Sequence, residues 1–209
     1  MKDLLIEDQG NVRLLTLNRP QRANALSPEL MSALVEAFVD AGAEPDVRAI
    51  VVTGAGDRVF CGGADLKARH EADRAGKPFV YLMSTRERYL FEVIHETYKP
   101  VIAAINGAAV AGGFELALAC DMRIAEEHAI FGLTEAKRGM GAHFATVMLP
   151  RVIPRAHALD LLLRAETIDA RHAERIGFLN KIVARGKALE EAWPGRHRSP
   201  ATRLSPSAA

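Results

Sequence analysis

The segment at residues 99–125, KPVIAAINGAAVAGGFELALACDMRIA, restricts the possible folds of this chain more than any other part. Its first run, PVIAAI, is short and aliphatic, which is typical of a buried strand. A turn and a glycine pair separate this run from residues 112–120, which favour a helix, and residues 123–125 predict a short returning strand. The order strand, helix, strand indicates an α/β domain.

The same alternation extends along the rest of the chain. Residues 12–17 and 49–53 predict strands, and Ser27 followed by Pro28 marks the start of a helix between them. The other predicted elements are a helix at residues 79–97, a short helix capped at residues 167–169 and ended by Gly177, and a strand at residues 179–183. The 209 residues are enough to bury a substantial core, and we predict one α/β domain at residues 1–192.

A different composition begins at Trp193. Residues 193–209, WPGRHRSPATRLSPSAA, contain three prolines, three arginines and no acidic residue. Such a segment has too little apolar surface to offset the entropy lost on ordering. We therefore predict a disordered tail.

Charge and cysteine content argue against several classes of protein. The net charge of +1 supplies no field that would gather nucleic acid or an anionic membrane. Charges in MKDLLIEDQG argue against a signal peptide, and polar residues and glycines interrupt the most apolar window before it reaches the length of a spanning helix. Cys61 and Cys120 form no CxxC pair, so we expect buried reduced thiols rather than a disulfide or a zinc site. These features predict a soluble cytoplasmic protein.

Glycine pairs follow two of the predicted strands, in FCGGADL at residues 60–66 and in VAGGFEL at residues 110–116. Glycine lets the backbone approach a ligand closely, and a helix start leaves N–H groups unpaired. Two such turns predict two N–H donors that converge on one oxygen, which is how enzymes stabilise a carbonyl oxygen that becomes negative. A simple tight loop and a phosphate site are the alternatives that this pattern leaves open.

Two glutamates lie close to these turns in the sequence. Glu115 is in the first turn of the helix that Gly112 begins, and Glu135 follows another short predicted strand. A carboxylate inside an apolar run is costly to bury unless it has partners or a function. Two carboxylates around one apolar site can divide the work of acid and base. The alternative is that each glutamate caps a helix or faces solvent.

Together these motifs resemble the enoyl-CoA hydratase/isomerase family, also called the crotonase family. The resemblance implies a crotonase-like spiral of repeated β-β-α units, assembled as trimers or paired trimers, and a CoA thioester as substrate. It implies no metal or redox cofactor, since coenzyme A is part of the substrate. The matching segments are LTLNRPQRANAL, FCGGADLK, KPVIAAINGAAVAGGFELALACDMRIA, FGLTEAKRG and LPRVIPRAHALDLLLRAETIDARHAERIGFLNKIV.

The resemblance also implies roles for individual residues. The N–H groups of Ala64 and Gly112 would hold the thioester oxygen. Glu115 would activate water for attack on the β-carbon, and Glu135 would exchange the proton at the α-carbon, which together give hydration of a trans-2-enoyl-CoA. The residues implied in substrate binding are Arg22, Ala23, Ala25, Gly62, Ala64, Asp65, Leu66, Lys67 and Gly112.

Two departures from the family pattern leave alternatives open. Met140, His143 and Phe144 add bulk where relatives have small residues along the acyl pocket, so an isomerase or another acyl-CoA reaction stays possible. His143 itself is either an extra acid or base or a packed side chain. In addition, relatives continue past the last strand with several helices at the trimer contact, whereas this sequence changes character at Trp193, so we expect a truncated C-terminal helical region.

The tail admits a reading-frame explanation. If the codons from Trp193 onward are read one base earlier, codon degeneracy permits the family-like string LAGPASLARHAPVAVR. The nucleotide sequence tests this hypothesis directly. A truncated chain would be either a working hydratase or an inactive remnant that only binds acyl-CoA, and its uncovered apolar face would favour aggregation.

Overall fold

A computed structural model describes residues 2–76 and 88–193 of this chain. Its strands are β1 (Leu4–Gln9), β2 (Val12–Leu17), β3 (Ala49–Gly54), β4 (Val59–Cys61), β5 (Val101–Ile105), β6 (Ala108–Val110), β7 (Met122–Glu126), β8 (Ile130–Gly132), β9 (Thr167–Asp169) and β10 (Lys181–Val183). Its α-helices are α1 (Pro28–Ala43), α2 (Leu66–Arg74), α3 (Leu90–His95), α4 (Gly112–Ala119), α5 (His143–Val152), α6 (Arg155–Arg164), α7 (Ala170–Arg175) and α8 (Ala188–Ala192). Within the described residues, Pro20–Arg22 and Glu135–Arg138 form short 3-10 segments.

The larger sheet has six strands in the order β1-β2-β3-β5-β7-β10. The β1–β2 pair is antiparallel, and the other neighbours are parallel. β3 and β5 are buried along their whole length, as expected for parallel strands covered on both faces. The predicted strands at residues 12–17 and 49–53 are confirmed. β1 was not predicted, because it is an edge strand whose side chains are mostly exposed and give little apolar signal.

The smaller sheet has four strands of three residues each, in the order β4-β6-β8-β9. β4, β6 and β8 pair in parallel, and β9 joins antiparallel to β8. The chain passes repeatedly from the larger sheet to the smaller one, from β3 to β4, from β5 to β6 and from β7 to β8, and then enters a helical segment. This repetition of strand, strand and helix agrees with the β-β-α spiral that the resemblance implies.

Local signals fix several helix ends as predicted. The Ser27 side chain accepts from the N–H of Leu30 at 3.3 Å, and Asp169 accepts from His172 at 2.7 Å at the start of α7. Of the helix predicted at residues 79–97, the structure confirms α3, but residues 88–89 and 96–97 are not helical, and residues 79–87 lie outside the described residues. The predicted disordered tail likewise lies outside them from residue 194 onward.

Helix α4 lies in the centre of the core. Every residue of it except Gly112 is buried. Phe114 stacks on Phe178 with ring centroids 4.4 Å apart and meets Phe131 edge-on at 6.5 Å. Burial of an aromatic side chain of this size contributes roughly 1.5–3 kcal/mol. The helix that carries Glu115 is therefore held rigidly by its surroundings.

Both cysteines are buried free thiols, as predicted. None of the helices in the described ranges combines the length and apolarity needed to cross a bilayer. Within the same ranges, no group of three or more His, Cys, Asp or Glu side chains is placed to hold a metal ion.

Candidate active site

The backbone around Ala64 is arranged as a hydrogen-bond donor. Ala64 pairs with Leu26 in an isolated parallel bridge, where Leu26 N–H donates to Gly63 O at 2.8 Å and Asp65 N–H donates to Leu26 O at 3.0 Å. Because the flanking residues make these bonds, the N–H of Ala64 faces away from Leu26. Within the described part of the chain this N–H has no acceptor. It is thus held in place and free for a ligand.

A second donor lies at the start of α4. Ala111, the residue before the helix, has φ 52° and ψ −128°, so helical geometry begins abruptly at Gly112. The N–H groups of Phe114 and Glu115 donate to Ala111 O at 2.9 and 3.1 Å, whereas that of Gly112 has no acceptor among the described residues. A helix N-terminus also carries partial positive charge. The Gly112 amide is therefore suited to an oxygen that gains negative charge.

Close backbone packing brings these two donors together. A Cβ on Gly63 would lie 3.1 Å from Gly112 N, and a Cβ on Gly112 would lie 3.6 Å from Ala64 N. A Cβ on Gly113 would lie only 2.0 Å from Cys61 O. Because side chains at Gly63 and Gly113 would push the turns apart, these two glycines are what allow the turns to meet, whereas a Cβ on Gly112 would make an ordinary contact. The structure therefore places the two predicted oxyanion donors in contacting turns.

Glu115 is 6% exposed and bonds to another helix. Its Oε1 accepts from the N–H of Ala145 at 2.9 Å, in the first turn of α5, where the N-cap residue Ala142 makes no side-chain cap. Burial raises the pKa of Glu115 to about 7; the amides of Ala145 and Phe144 act against this rise, and the charge of Glu135 adds to it. Glu115 is therefore poised between its two protonation states near neutral pH.

Glu135 begins the 3-10 segment after β8 and is half-buried. Its Oε2 is buried and has no hydrogen-bond partner among the described residues. Burial raises its pKa above the ordinary value, while its own backbone amide and the charges of His143 and Arg138 oppose that rise. Because its charge raises the pKa of Glu115, the two carboxylates lie within electrostatic range of each other. One is bonded to the protein, and the other has an open oxygen.

Tyr89, which no sequence motif indicated, lies near the same carboxylates. Burial raises the pKa of its phenol, and the charges of Glu115, Glu92 and Glu135 raise it further. Its ring meets Phe91 edge-on at 5.1 Å, and Phe91 lies 5.5 Å from Phe144. These rings form an aromatic wall between α3 and α5. No motif marked Tyr89, because it precedes a short helix in an unremarkable segment.

An apolar cavity of about 260 Å³ opens beside Glu135. Met140, one of the bulky residues noted in the sequence, lines it and is partly exposed. His143 is exposed at the start of α5, and Phe144 packs in the core instead of lining this cavity. Other residues around the cavity are Leu133, Thr146, Leu159, Leu162 and Leu163.

The segment at residues 22–25, which is predicted to bind substrate, lies against the first glycine turn at residues 62–63. Gly62 N–H donates to Ala23 O at 2.9 Å, and Ala23 has a positive φ of 52°. Arg22 is partly exposed, with its Nε 3.5 Å from Asp65 Oδ2. Ala25 is partly buried, and Leu66 and Lys67 are exposed at the start of α2. The structure thus gathers these predicted binding residues around one turn.

Asp65 is 7% exposed, and protein groups already bind both of its oxygens. Oδ1 accepts from Ala68 N–H at 3.1 Å and caps α2, while Oδ2 pairs with Arg19 Nη2 at 2.9 Å. Burial tends to raise the pKa of Asp65, but the Ala68 amide and the guanidinium groups of Arg19 and Arg22 outweigh it and lower the pKa. In this structure Asp65 is therefore an ionised internal partner, in contrast to its exposed neighbour Lys67.

Comparisons with known proteins give a consistent result. A sequence model described as "Enoyl-CoA hydratase/isomerase" matches residues 7–202. The chain is similar to a putative enoyl-CoA hydratase of Thermus thermophilus, with 43% identity over 185 residues that cover 88% of this chain and 73% of that protein. It is also 41% identical over 181 residues to (E)-benzylidenesuccinyl-CoA hydratase of Thauera aromatica, covering 85% and 68% of the two chains.

A solved structure gives the same result in three dimensions. The crystal structure of an enoyl-CoA hydratase from Bacillus anthracis superposes with a TM-score of 0.81 at 35% identity. The match covers 91% of this chain and 74% of that one. At this level of identity, the likeness extends to sequence as well as to fold.

Proposed function

Since this chain belongs to the enoyl-CoA hydratase/isomerase family, we propose that it adds water across the 2,3 double bond of an enoyl-CoA thioester. The observation that carries this proposal is that two carboxylates meet the start of α5: Glu115 accepts from the Ala145 N–H, and Glu135 lines a cavity together with Ala142 and Thr146. Glu115 also lies in the first turn of α4, which begins with the open Gly112 amide. Addition of water is neither an oxidation nor a reduction, so the scheme uses no redox cofactor, and none of its steps uses a metal.

The first part of the mechanism is electrostatic. The N–H groups of Ala64 and Gly112 donate to the thioester oxygen, which gains negative charge as an enolate when the β-carbon is attacked. Both donors are fixed before substrate binds, so little reorganisation is needed during the reaction. One such donor typically contributes about 10²–10³-fold to the rate.

Glu115 is assigned the role of base toward water. The Ala145 N–H holds the carboxylate in one orientation, and its pKa of about 7 is close to neutral pH, where the reaction is proposed to run. General bases work best when their pKa lies near that pH. As the water oxygen bonds to the β-carbon, Glu115 takes a proton from the water.

Glu135 is assigned the role of acid toward the α-carbon. Burial favours its protonated form, and its open Oε2 has no internal acceptor or donor among the described residues. The enolate takes the proton of Glu135 at the α-carbon and becomes a 3-hydroxyacyl-CoA. Proton transfer from Glu115 through solvent then returns the pair to its starting state.

The CoA moiety is assigned to the loop at the first glycine turn. Arg22 and Lys67 present cations there, and the Arg22 side chain is 31% exposed, so it can leave Asp65 for a phosphate. Ala23, Ala25, Gly62 and Leu66 would line the path of the pantetheine. A trimer or paired trimer is part of this proposal, and sedimentation velocity tests it.

A second reaction on the same scaffold is a shift of the double bond. It is favoured by one observation: Glu115 bonds to the first turn of α5, as a purely structural cap would. If that were its only role, Glu135 would be the single acid, as in isomerases. Turnover of a 3-enoyl-CoA to the conjugated 2-enoyl-CoA would then exceed hydration.

The test is a hydration assay on crotonyl-CoA that follows loss of the conjugated enoyl-thioester absorbance. Glu115→Gln and Glu135→Gln should each lower kcat by about 10²–10⁴-fold, the usual contribution of acid–base catalysis. Glu174→Gln, an exposed glutamate on α7, is the matched control and should not change the rate. Full activity of Glu135→Gln would contradict the assignment. Binding of crotonyl-CoA without turnover would support an inactive remnant.

A further inference from the structure

Arg19 and Asp65 form an ion pair beside the first oxyanion donor. Arg19 follows β2 and is 8% exposed, and Asp65 is 7% exposed immediately before α2. Their charged atoms Nη2 and Oδ2 are 2.9 Å apart. Burying two charges is expensive, so a buried pair is weak evidence for a stabilising role alone.

The Arg19 guanidinium joins three segments of the chain. Besides Asp65, Nη1 donates to Ala25 O at 2.6 Å, and Nε lies 3.1 Å from Asp3 Oδ2. Arginine suits such a position, because its donors point in fixed directions within one plane. A lysine would have a single charged atom for these three acceptors.

Two of these contacts flank the bridge that directs the Ala64 N–H. Ala25 precedes Leu26 on one side of the bridge, and Asp65 follows Ala64 on the other side. Arg19 therefore holds both backbone segments of the bridge at once. These two contacts of the guanidinium act on the same pair of segments as the two backbone hydrogen bonds of the bridge.

We propose that Arg19 and Asp65 are positioning residues that hold the Ala64 N–H at the thioester oxygen. This inference rests on the proposed function, which gives that N–H its role. Neither residue touches the reacting atoms. A displacement of about 1 Å in a reacting group can lower a rate by about 10²-fold, so loss of the pair is expected to act on turnover more than on binding.

The variants must leave the helix cap intact. Asp65 Oδ1 also caps α2 through Ala68, and asparagine is as good an N-cap as aspartate. Asp65→Asn therefore keeps the cap and removes the charge that pairs with Arg19. Arg19→Lys is the second variant. It keeps the positive charge but lacks the planar guanidinium that donates to Ala25 O. The matched control is Asp8→Asn, which breaks the pair between the exposed Asp8 and the partly buried Arg13 at 2.8 Å.

Two measurements separate positioning from stability. The first is kcat and KM for crotonyl-CoA. The second is the red shift in absorbance when para-dimethylaminocinnamoyl-CoA binds, which reports how strongly the thioester carbonyl is polarised. For Asp65→Asn and Arg19→Lys we expect kcat to fall about 10–100-fold, KM to change less than about 3-fold and the red shift to shrink. Asp8→Asn should retain the wild-type kcat, KM and red shift.

The outcomes are distinguishable. A full red shift and wild-type kcat in Asp65→Asn would overturn the proposal, even if its thermal midpoint fell. If Asp65→Asn does not fold, the same result in Arg19→Lys would overturn it. If wild type shifts the absorbance of the probe but does not hydrate crotonyl-CoA, the proposed reaction is contradicted. The red shifts of the two variants would then still test the positioning role. Binding of the probe to wild type without a shift would overturn both.

Discussion

The Oε1 atom of Glu115 accepts a hydrogen bond from the backbone N–H of Ala145 at 2.9 Å. This bond joins the carboxylate on α4 to the first turn of α5, which makes no side-chain cap of its own. Glu115 therefore serves the fold and the candidate site together. The same bond orients the carboxylate. Burial of Glu115 raises its pKa to about 7, so its charge state changes with pH near neutrality.

The stability of the protein should depend on the protonation of Glu115. Its pKa is about 7 when folded, against 4.5 for an ordinary glutamate. The folded state therefore binds this proton more tightly, so its stabilising effect is complete below about pH 4.5 and lost as the pH rises through about 7. Glu115→Gln keeps an acceptor for Ala145 but does not titrate. As the pH rises from about 4.5 to 8, wild type should lose up to about 3 kcal/mol of unfolding free energy relative to Glu115→Gln. This follows from about 1.4 kcal/mol per unit of difference in pKa.

Urea unfolding of both proteins across this pH range measures the effect. Glu174→Gln, which changes an exposed carboxylate, should show the wild-type dependence. A difference between Glu115→Gln and wild type that does not vary with pH would show that the carboxylate is not buried as described.

The hydration rate should follow the carboxylate pair. Glu115 must be ionised to act as base, so kcat/KM is expected to rise with pH through an apparent pKa near 7. Hydration also needs one proton on the pair, and burial raises the pKa of Glu135 as well, so the rate should fall once the pair has lost both protons. The two apparent values belong to the coupled pair rather than to either residue. An initial-rate profile that stays flat from about pH 5 to pH 9 would be inconsistent with these roles.

Gly113 should be intolerant of any side chain. An added Cβ would lie 2.0 Å from Cys61 O, which is backbone and cannot yield as a flexible side chain does. Gly113→Ala would therefore push α4 away from β4 and separate the Ala64 and Gly112 donors. We expect at least a 100-fold loss of kcat, as for removal of an oxyanion donor, together with a lower thermal midpoint.

Gly42→Ala is the matched control for this substitution. A Cβ at Gly42 in α1 has no atom within 4 Å. Alanine should raise stability there by about 0.5–1 kcal/mol, because it favours a helix more than glycine does, with no change in rate. A tolerated Gly113→Ala would mean that the two turns do not need this close contact.

Arg123 should stabilise the far end of α4. It is buried, with Nε donating to Phe178 O and Nη1 donating to Cys120 O, both at 2.6 Å. Arg123→Met would leave these carbonyls unsatisfied, which costs about 1–3 kcal/mol each. Urea unfolding should show the loss, and Arg48→Met, at an exposed arginine, should change stability by no more than about 0.5 kcal/mol. Equal effects of the two substitutions would contradict this role.

Local patterns predicted the elements whose signals lie within a few residues. The Ser27 cap, the Asp169 cap and the aliphatic strands at residues 12–17 and 101–105 are present because apolar period and capping chemistry act over one turn or one strand. The short strands β4, β6 and β9 gave no usable period, since three residues are too few. β1 was missed because its edge position leaves most of its side chains in water.

Local sequence patterns predicted only part of the candidate site. Of the alternatives for the glutamates, capping applies to Glu115, but the helix that it caps is α5, thirty residues along the chain. No sequence pattern indicated this bond or the position of Tyr89. The expected contact of Asp65 with substrate stays a prediction; no pattern indicated that its oxygens bind Ala68 and Arg19 within the protein.

The sequence by itself determined the alternation of strands and helices, the two glycine turns and the identity of the two carboxylates, because each depends on residue types within a short window. Only the tertiary structure decided which groups meet. The ion pair of Arg19 and Asp65 spans 46 positions, and the contact of the glycine turns joins β4 to the start of α4. Such contacts depend on how whole strands and helices pack. Packing results from many contacts between residues far apart in the sequence, which no short segment contains.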